Sequence, residues 1–492
     1  MSLINVTNLT FAYDGSYDNI FENVNFEIDT DWKLGFIGRN GRGKTTFLNL
    51  LRGKYEYSGN ISAKVHFEYF PFNVTNKENN TLDVISDIYP DYLHWKLIRE
   101  LSLLDVSEDA LYRSFGSLSN GEQTKVLLAA LFLKENNFLL IDEPTNHLDM
   151  NARKLISDYL NTKSGFILVS HDRAFLDHCI DHILSINKTN IEIQKGNFSS
   201  WWENKKRQDS FEIAENEKLR KDINRLSNAA KQTSNWSQEV EKTKIGTKNS
   251  GSKLDKGYVG HKAAKMMQRS KSIENRQQSA IEQKSKLLKN IERSNNLKLI
   301  QLAYHKNKLA EFENVAIFYG STTVCKDIRF TIEQGDRIAL KGKNGSGKSS
   351  ILKLICGEDI NYTGIFRKGS QLKISYVPQD TSYLRGNLTN YAANNGIDES
   401  LFRSMLWKLD FSKVQFEKDI STFSGGQKKK VLIAKSLCEQ AHLYIWDEPL
   451  NFIDIISRMQ IEKLLFEYTP TLLFVEHDSE FCKNIATKIV EL

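Results

Sequence analysis

Trp32-Lys-Leu-Gly-Phe-Ile-Gly38-Arg-Asn40-Gly41-Arg-Gly43-Lys44-Thr45-Thr46 joins a short apolar run to a glycine loop that ends in a lysine and two hydroxyl residues. Helix-forming Phe47-Leu-Asn-Leu-Leu follows directly. An apolar strand, a glycine loop and a helix start, in that order, make a cradle for phosphate. Glycines let backbone N–H groups wrap the anion, and the helix N-terminus adds a favourable field. The lysine reaches the terminal phosphates, and the hydroxyl after it suits Mg²⁺. The pattern recurs as Gly342-Lys-Asn344-Gly345-Ser-Gly347-Lys348-Ser349-Ser350, followed by Ile351-Leu-Lys-Leu-Ile. Two matches in the same context argue against accident.

The recurrence extends along the chain. Lys44 and Lys348 are 304 positions apart, Ser119 and Ser424 are 305, Asp142 and Asp447 are 305, and His171 and His477 are 306. Four features in one order at a nearly constant shift indicate a duplicated domain. The expected division is 1–200, a connector over 201–305, and 306–492. Apolar runs such as Phe138-Leu-Leu-Ile and Gly165-Phe-Ile-Leu-Val suit parallel strands buried on both faces, so each copy is expected to be an α/β nucleotide-binding domain.

Leu139-Leu-Ile-Asp142-Glu143 and Tyr444-Ile-Trp-Asp447-Glu448 each bring two carboxylates to the end of a buried run. The first acid suits Mg²⁺, and Glu143 and Glu448 suit polarising an attacking water as general bases. The acids follow Leu118-Ser119-Asn-Gly121-Glu-Gln123 and Phe423-Ser424-Gly425-Gly426-Gln427, with 23 residues from serine to aspartate in both copies. These segments resemble the signature motif of ABC ATPases. The resemblance implies two composite ATP sites in a head-to-tail sandwich, one joining Lys44 to Ser424 and the other Lys348 to Ser119.

On the same resemblance His171 and His477 are catalytic switch histidines, and Asp149 and Asp454 stand at the D-loop position. Tyr13 and Tyr319 are platforms for adenine, and Thr45, Asp142, Ser349, Gln379 and Asp447 are Mg²⁺ residues. The copies differ in two places. Tyr376-Val-Pro-Gln379 supplies a Q-loop glutamine, whereas Tyr69-Phe-Pro-Phe72 does not; Thr145-Asn-His-Leu-Asp149 becomes Leu450-Asn-Phe-Ile-Asp454. Unequal ATP sites are expected.

The 492 residues suit two or three domains. Met1-Ser-Leu-Ile-Asn-Val has no signal-peptide character, and no apolar run approaches the roughly 20 residues of a membrane span. A cytoplasmic protein is expected. Five scattered cysteines, an odd number without metal-ligand spacing, read as free thiols.

The net charge of +6 is concentrated: residues 201–300 hold 23 Lys+Arg against 12 Asp+Glu. In this connector Leu219, Ile223, Leu226 and Ala230 form one helical stripe, and Met266, Ile273, Ala280, Leu287 and Ile291 a second. An antiparallel helical hairpin is expected, with arms of roughly 35 residues reaching about 50 Å. Its turn, about 236–262, interleaves lysines and glycines with aromatic residues, which suits RNA phosphates and unpaired bases. It equally suits an ordinary solvated loop tip. The candidate contacts are Trp236, Lys244, Lys253, Lys256, Tyr258 and His261.

Two complete ABC domains joined by a basic connector resemble the ABC-F translation factors, and within them the Lsa-type antibiotic-resistance group. That resemblance implies a monomer that binds the 70S ribosome in its ATP-closed state. The hairpin would reach 23S rRNA near the peptidyl-transferase centre, displace tRNA in the P/E region, and relieve lincosamides, streptogramin A and pleuromutilins. Hydrolysis would release it. The alternatives are a housekeeping ABC-F factor or the ATPase subunit of a transporter.

Overall fold

The computed structural model describes residues 2–14, 19–134, 137–146, 148–187, 190–242, 256–286, 297–320, 322–343 and 345–492. They form two units: Met1–Ser199 with Arg293–Leu492, and Ser200–Glu292. Both copies of the repeat lie in the first unit.

In the first copy a six-stranded sheet runs in the order His66–Phe70, Asn137–Asp142, Phe166–Val169, Lys33–Ile37, His182–Ile186, Ile191–Lys195. All neighbours are parallel except the last pair. Phe166–Val169 is buried along its whole length, as expected of a parallel strand covered on both faces. The second copy repeats the order with five parallel strands: Ile374–Val377, Leu443–Asp447, Leu472–Val475, Arg337–Lys341 and Lys488–Glu491. Each copy also has a three-stranded antiparallel sheet, centred on Leu3–Phe11 in one and Lys308–Tyr319 in the other. Phe36, Phe47, Phe138 and Leu140 belong to the core of the first copy; Ile338, Leu340, Ile351 and Ile445 occupy the second. The expected architecture of two tandem α/β ATPase domains with connecting helices is the one observed.

Adjacent strands end at one edge, and this positions the chemistry. Lys33–Ile37 delivers the glycine loop and the helix Lys44–Leu51; Asn137–Asp142 ends on its acid beside Val169. Gly43 and Gly347, at φ 96° and 90°, turn each loop into its helix from the left-handed region. A side chain on Gly43 would come within 2.6 Å of Ile20.

The second unit contains the helices Phe198–Lys242 and Lys256–Lys286. Their 45 and 31 residues span about 67 and 46 Å. Leu219, Ile223 and Leu226 are partly shielded, as are Met266, Ile273 and Ala280. Ser270, in the middle of the second stripe, is only 2% exposed; its polarity hid it from the apolar pattern. Leu287 and Ile291 lie outside the described residues. The expected turn is corrected at both ends, and residues 243–255 between them lie outside the described residues. Residues 236–242 and 256–262 are helical, and Gly257 and Gly260 lie inside the second helix. Each glycine costs a helix only about 1 kcal/mol relative to alanine, too little to end one of this length. Among the described residues, no helix is long and apolar enough to cross a membrane. All five cysteines are free thiols.

Candidate active sites

Each P-loop lysine opens its helix and turns back onto its own loop. Lys44 Nζ donates to the Gly38 carbonyl at 2.7 Å, with the Arg39 carbonyl and Asn40 Oδ1 at 3.3 and 3.4 Å. Lys348 Nζ donates to the Gly342 and Lys343 carbonyls, both at 2.8 Å. Burial lowers the pKa of both lysines, against the pull of nearby carboxylates. Among those carboxylates are Asp454 for Lys44 and Asp149 for Lys348, each from the opposite copy.

The acids stand at the adjoining strand ends. Asp142 Oδ2 accepts hydrogen bonds from Thr45 Oγ1 at 3.2 Å and from Tyr69 OH at 3.0 Å. Ser349 stands beside Asp447 and lowers its pKa. Burial raises both aspartates above the ordinary carboxylate range. Asp447 Oδ1 is buried without a hydrogen-bond partner. A hard-oxygen set of aspartate, serine or threonine hydroxyl and glutamine amide oxygen, with one buried acceptor unsatisfied, fits Mg²⁺.

Glu143 and Glu448 leave their strands at φ 52° and 47°, a left-handed conformation uncommon for a residue with a side chain. Bonds from their N–H groups to the Val169 and Val475 carbonyls hold the turn. Each carboxylate is aimed at its histidine, with Glu143 Oε1 3.3 Å from His171 Nε2 and Glu448 Oε1 3.4 Å from His477 Nε2. Beyond this the two sites diverge. Gln379 and Asn451 donate to Glu448 Oε2 at 2.9 and 2.5 Å. Burial alone would raise Glu448, but His477, Gln379 and the Lys429 charge hold it below its ordinary value. For Glu143 the Arg458 and Lys44 charges and the His171 backbone N–H are outweighed: burial, then the Asp142 charge, push it up to about 8. His171 falls well below its ordinary value, through burial and then the Lys44 charge.

Phe72 cannot replace the glutamine, and its ring instead faces the Lys134 ammonium at 5.9 Å. Tyr69, three residues before it, carries the bond to Asp142 and holds the Arg52 guanidinium over its ring at 4.5 Å. Sequence patterns gave no warning of this, because a tyrosine stands at both aligned positions.

The signature segments begin the helices Asn120–Phe132 and Gly425–Cys438 through capping boxes, Ser119 with Glu122 and Ser424 with Gln427. Glu122, rather than Gln123, therefore takes the place of Gln427; Gln123 Nε2 donates to the Leu118 carbonyl at 2.9 Å. The near-homonym of adjacent Glu and Gln misdirects a match made on residue type alone. Asp149 and Asp454 likewise cap their helices, Met150–Asn161 and Ile455–Tyr468.

The two copies meet at these parts. A cavity of about 360 Å³ is lined by Lys348, Ser349, Gln379, Glu448 and His477, with Asn120 and Arg153 from the first copy. A second cavity of similar size brings Asp149 and Met150 against Gly342, Lys343 and Lys348. On the other side Asn40 Nδ2 donates 2.7 Å to the Phe452 carbonyl. Gly426 lies so close that a Cβ there would be 2.8 Å from Asn40 Nδ2 and 2.2 Å from the Phe452 carbonyl oxygen. Thus each glycine loop abuts the signature or D-loop of the other copy.

Tyr13 is 43% exposed, its hydroxyl 2.8 Å from Thr46 Oγ1 at the start of the first P-loop helix. Tyr319 is 49% exposed at the end of its strand. Asn344 lies outside the described residues. Of the candidate connector contacts, Trp236, Tyr258 and His261 are exposed. Lys256 opens its helix, and Lys244 and Lys253 lie outside the described residues.

The family model described as ABC transporter matches residues 21–146 and 325–451. The chain is 28% identical to the ATP-binding protein Uup of Buchnera aphidicola (Acyrthosiphon pisum strain APS), across 99% of this chain and 80% of that one. It is also 28% identical to the ribosome protection protein VmlR of Bacillus subtilis, across 99% and 86%. Among solved structures, archaeal ribosome recycling factor aABCE1, in complex with a ribosomal stalk protein, superposes with a TM-score of 0.62. That likeness covers 98% of this chain and 87% of the other at 17% identity, and shows the fold alone.

Proposed function

The chain belongs to the ABC transporter family, as an ATP-hydrolysing ATP-binding protein of the ABC-F kind, and from that premise we propose that it is a ribosome-binding factor timed by ATP. The observation that carries the reading is the meeting of the halves: Asn120, beside the signature serine of the first copy, lines the cavity of the second P-loop. ATP between the halves would then bind both and hold them closed.

In this reading the loop N–H groups with Asn40, Lys44, Thr46, Asn344, Lys348 and Ser350 hold the phosphates. Tyr13 and Tyr319 stack on adenine, and Ser119 and Ser424 touch the γ-phosphate across the junction. Thr45 with Asp142, and Ser349 with Gln379 and Asp447, would hold Mg²⁺. When bound, the ion neutralises charge on the transferring phosphoryl group. Glu448 takes the proton of the attacking water, and His477 orients that carboxylate and contacts the γ-phosphate. Glu143 and His171 hold the same posts in the other site.

Residues 1–200 and 306–492 act as the ATPase domains, and 201–305 as the connector that meets the ribosome. The connector's surplus of cations favours RNA phosphate, and Trp236, Tyr258 and His261 offer exposed rings to unpaired bases. The closed form places this connector toward the peptidyl-transferase centre, relieving large-subunit antibiotics, and hydrolysis releases it. The protein works in the cytoplasm. The likeness to VmlR, named as a ribosome protection protein, favours this over a transporter subunit.

Growth of a susceptible host expressing the chain, under lincosamide, streptogramin A or pleuromutilin, tests the resistance step. A raised inhibitory concentration supports it. Unchanged growth with ribosome binding intact returns a housekeeping factor instead.

A further inference from the structure

The two junctions are not fastened alike. In the first P-loop Arg39, only 2% exposed, and Arg42 approach Asp410 Oδ2 of the second copy at 3.9 and 3.5 Å. Asp410 follows Leu409, whose carbonyl accepts from Lys430 Nζ at 3.0 Å. The same ammonium pairs with Asp454 Oδ2 at 2.7 Å, both side chains being buried. An unbroken run of contacts therefore ties the first P-loop to the D-loop aspartate opposite it. The other junction has the matching acid, Asp105, but Lys343 and Ser346 stand where Arg39 and Arg42 stand. Among the described residues, no ion pair joins that P-loop to Asp105, and none joins Lys125, the counterpart of Lys430, to Asp149.

We propose that Arg39, Arg42 and Asp410 latch the junction built on Lys44 and Ser424, so that it keeps its nucleotide while the junction built on Lys348 and Ser119 opens and exchanges. This rests on the reading that ATP binds at both junctions. The latch suits that site's chemistry: with Phe72 in place of a glutamine and Tyr69 on Asp142, it is built to hold ATP more than to turn it over. Arg42 and Asp410 are positioning residues; neither is asked to touch the reacting atoms.

The test is release of a fluorescent, non-hydrolysable ATP analogue with Mg²⁺ from the full chain, chased with excess ATP. The expected wild-type result is two nucleotides per chain leaving in two phases of equal amplitude. Arg42→Ser, which installs the residue the other P-loop carries, and Asp410→Asn should each speed the slow phase roughly three- to tenfold. Neither should alter the fast phase, and Asp410→Glu should restore the slow one. Arg42→Ser leaves every core residue in place, so its folding is secure even if the Asp410 variant misfolds. Two nucleotides leaving in a single phase, or a slow phase indifferent to Arg42→Ser, would overturn the latch and leave the two-site reading standing. Fewer than two nucleotides bound would remove the two-site reading itself.

Discussion

Glu143 and Glu448 occupy matching strand ends, share a left-handed turn and face matching histidines, yet their proton affinities move in opposite directions. The difference lies in the donors: Gln379 and Asn451 reach Glu448, and the first site lacks the glutamine. A carboxyl raised to about 8 keeps its proton through much of the neutral range, so Glu143 serves as a base in fewer molecules than Glu448 does. Single-turnover phosphate release should therefore separate the sites. In Glu448→Gln, the remaining turnover should climb with pH to a midpoint near 8; in Glu143→Gln, it should stay flat between about pH 6 and 9. Stability runs the opposite way with pH. The raised carboxyl contributes fully below its ordinary value of 4.5, and the contribution is lost as pH rises through about 8. Relative to the wild type, Glu143→Gln should thus gain stability in urea denaturation as pH rises from about 5 to 9, by up to about 4 kcal/mol for a shift of this size.

At the scale of elements, the halves are joined through loops and helix caps. Gly426 shows how little room is left: an added methyl would strike the Phe452 carbonyl, a backbone atom that can yield only by moving the D-loop. Gly426→Ala should pry this junction apart and speed release of the nucleotide held there roughly tenfold, since displacement of about 1 Å at a fitted site can cost that much or more. Unchanged release would mean that this junction does not close on its nucleotide. The Lys430–Asp454 pair is a second test. Lys430→Met leaves a buried carboxylate without its cation and should cost about 3–5 kcal/mol by urea denaturation. Arg403→Ala, which breaks the exposed pair with Glu399, should leave the transition nearly unmoved.

These elements also mark how far the sequence could be read. The glycine loops, acid-ended strands and signature helices follow short-range rules, and the repeat shows each twice. Contacts between halves join residues as far apart as Asn40 and Phe452, separated by 412 positions, which no local period records. The Arg39–Asp410 pair was hidden for that reason. Tyr69 was hidden because its partner in the repeat is also tyrosine, and Glu122 because a glutamine follows it. In the connector the stripe residues from Leu219 to Ala230 and from Met266 to Ala280 fall in helices, while Gly257 and Gly260 suggested a turn where the chain is helical.

For the whole molecule, the account joins a two-stroke ATPase to a basic pair of helices by one sequence of events: ATP closes the halves, the closed form holds the ribosome, and hydrolysis lets go. Removing both general bases should stop that cycle at its bound state. The direct measurement is co-sedimentation of the Glu143→Gln, Glu448→Gln double variant with 70S ribosomes, with and without ATP. The account predicts that the variant pellets with ribosomes only when ATP is present. A variant that stays in the supernatant under both conditions, while still binding ATP, would contradict it.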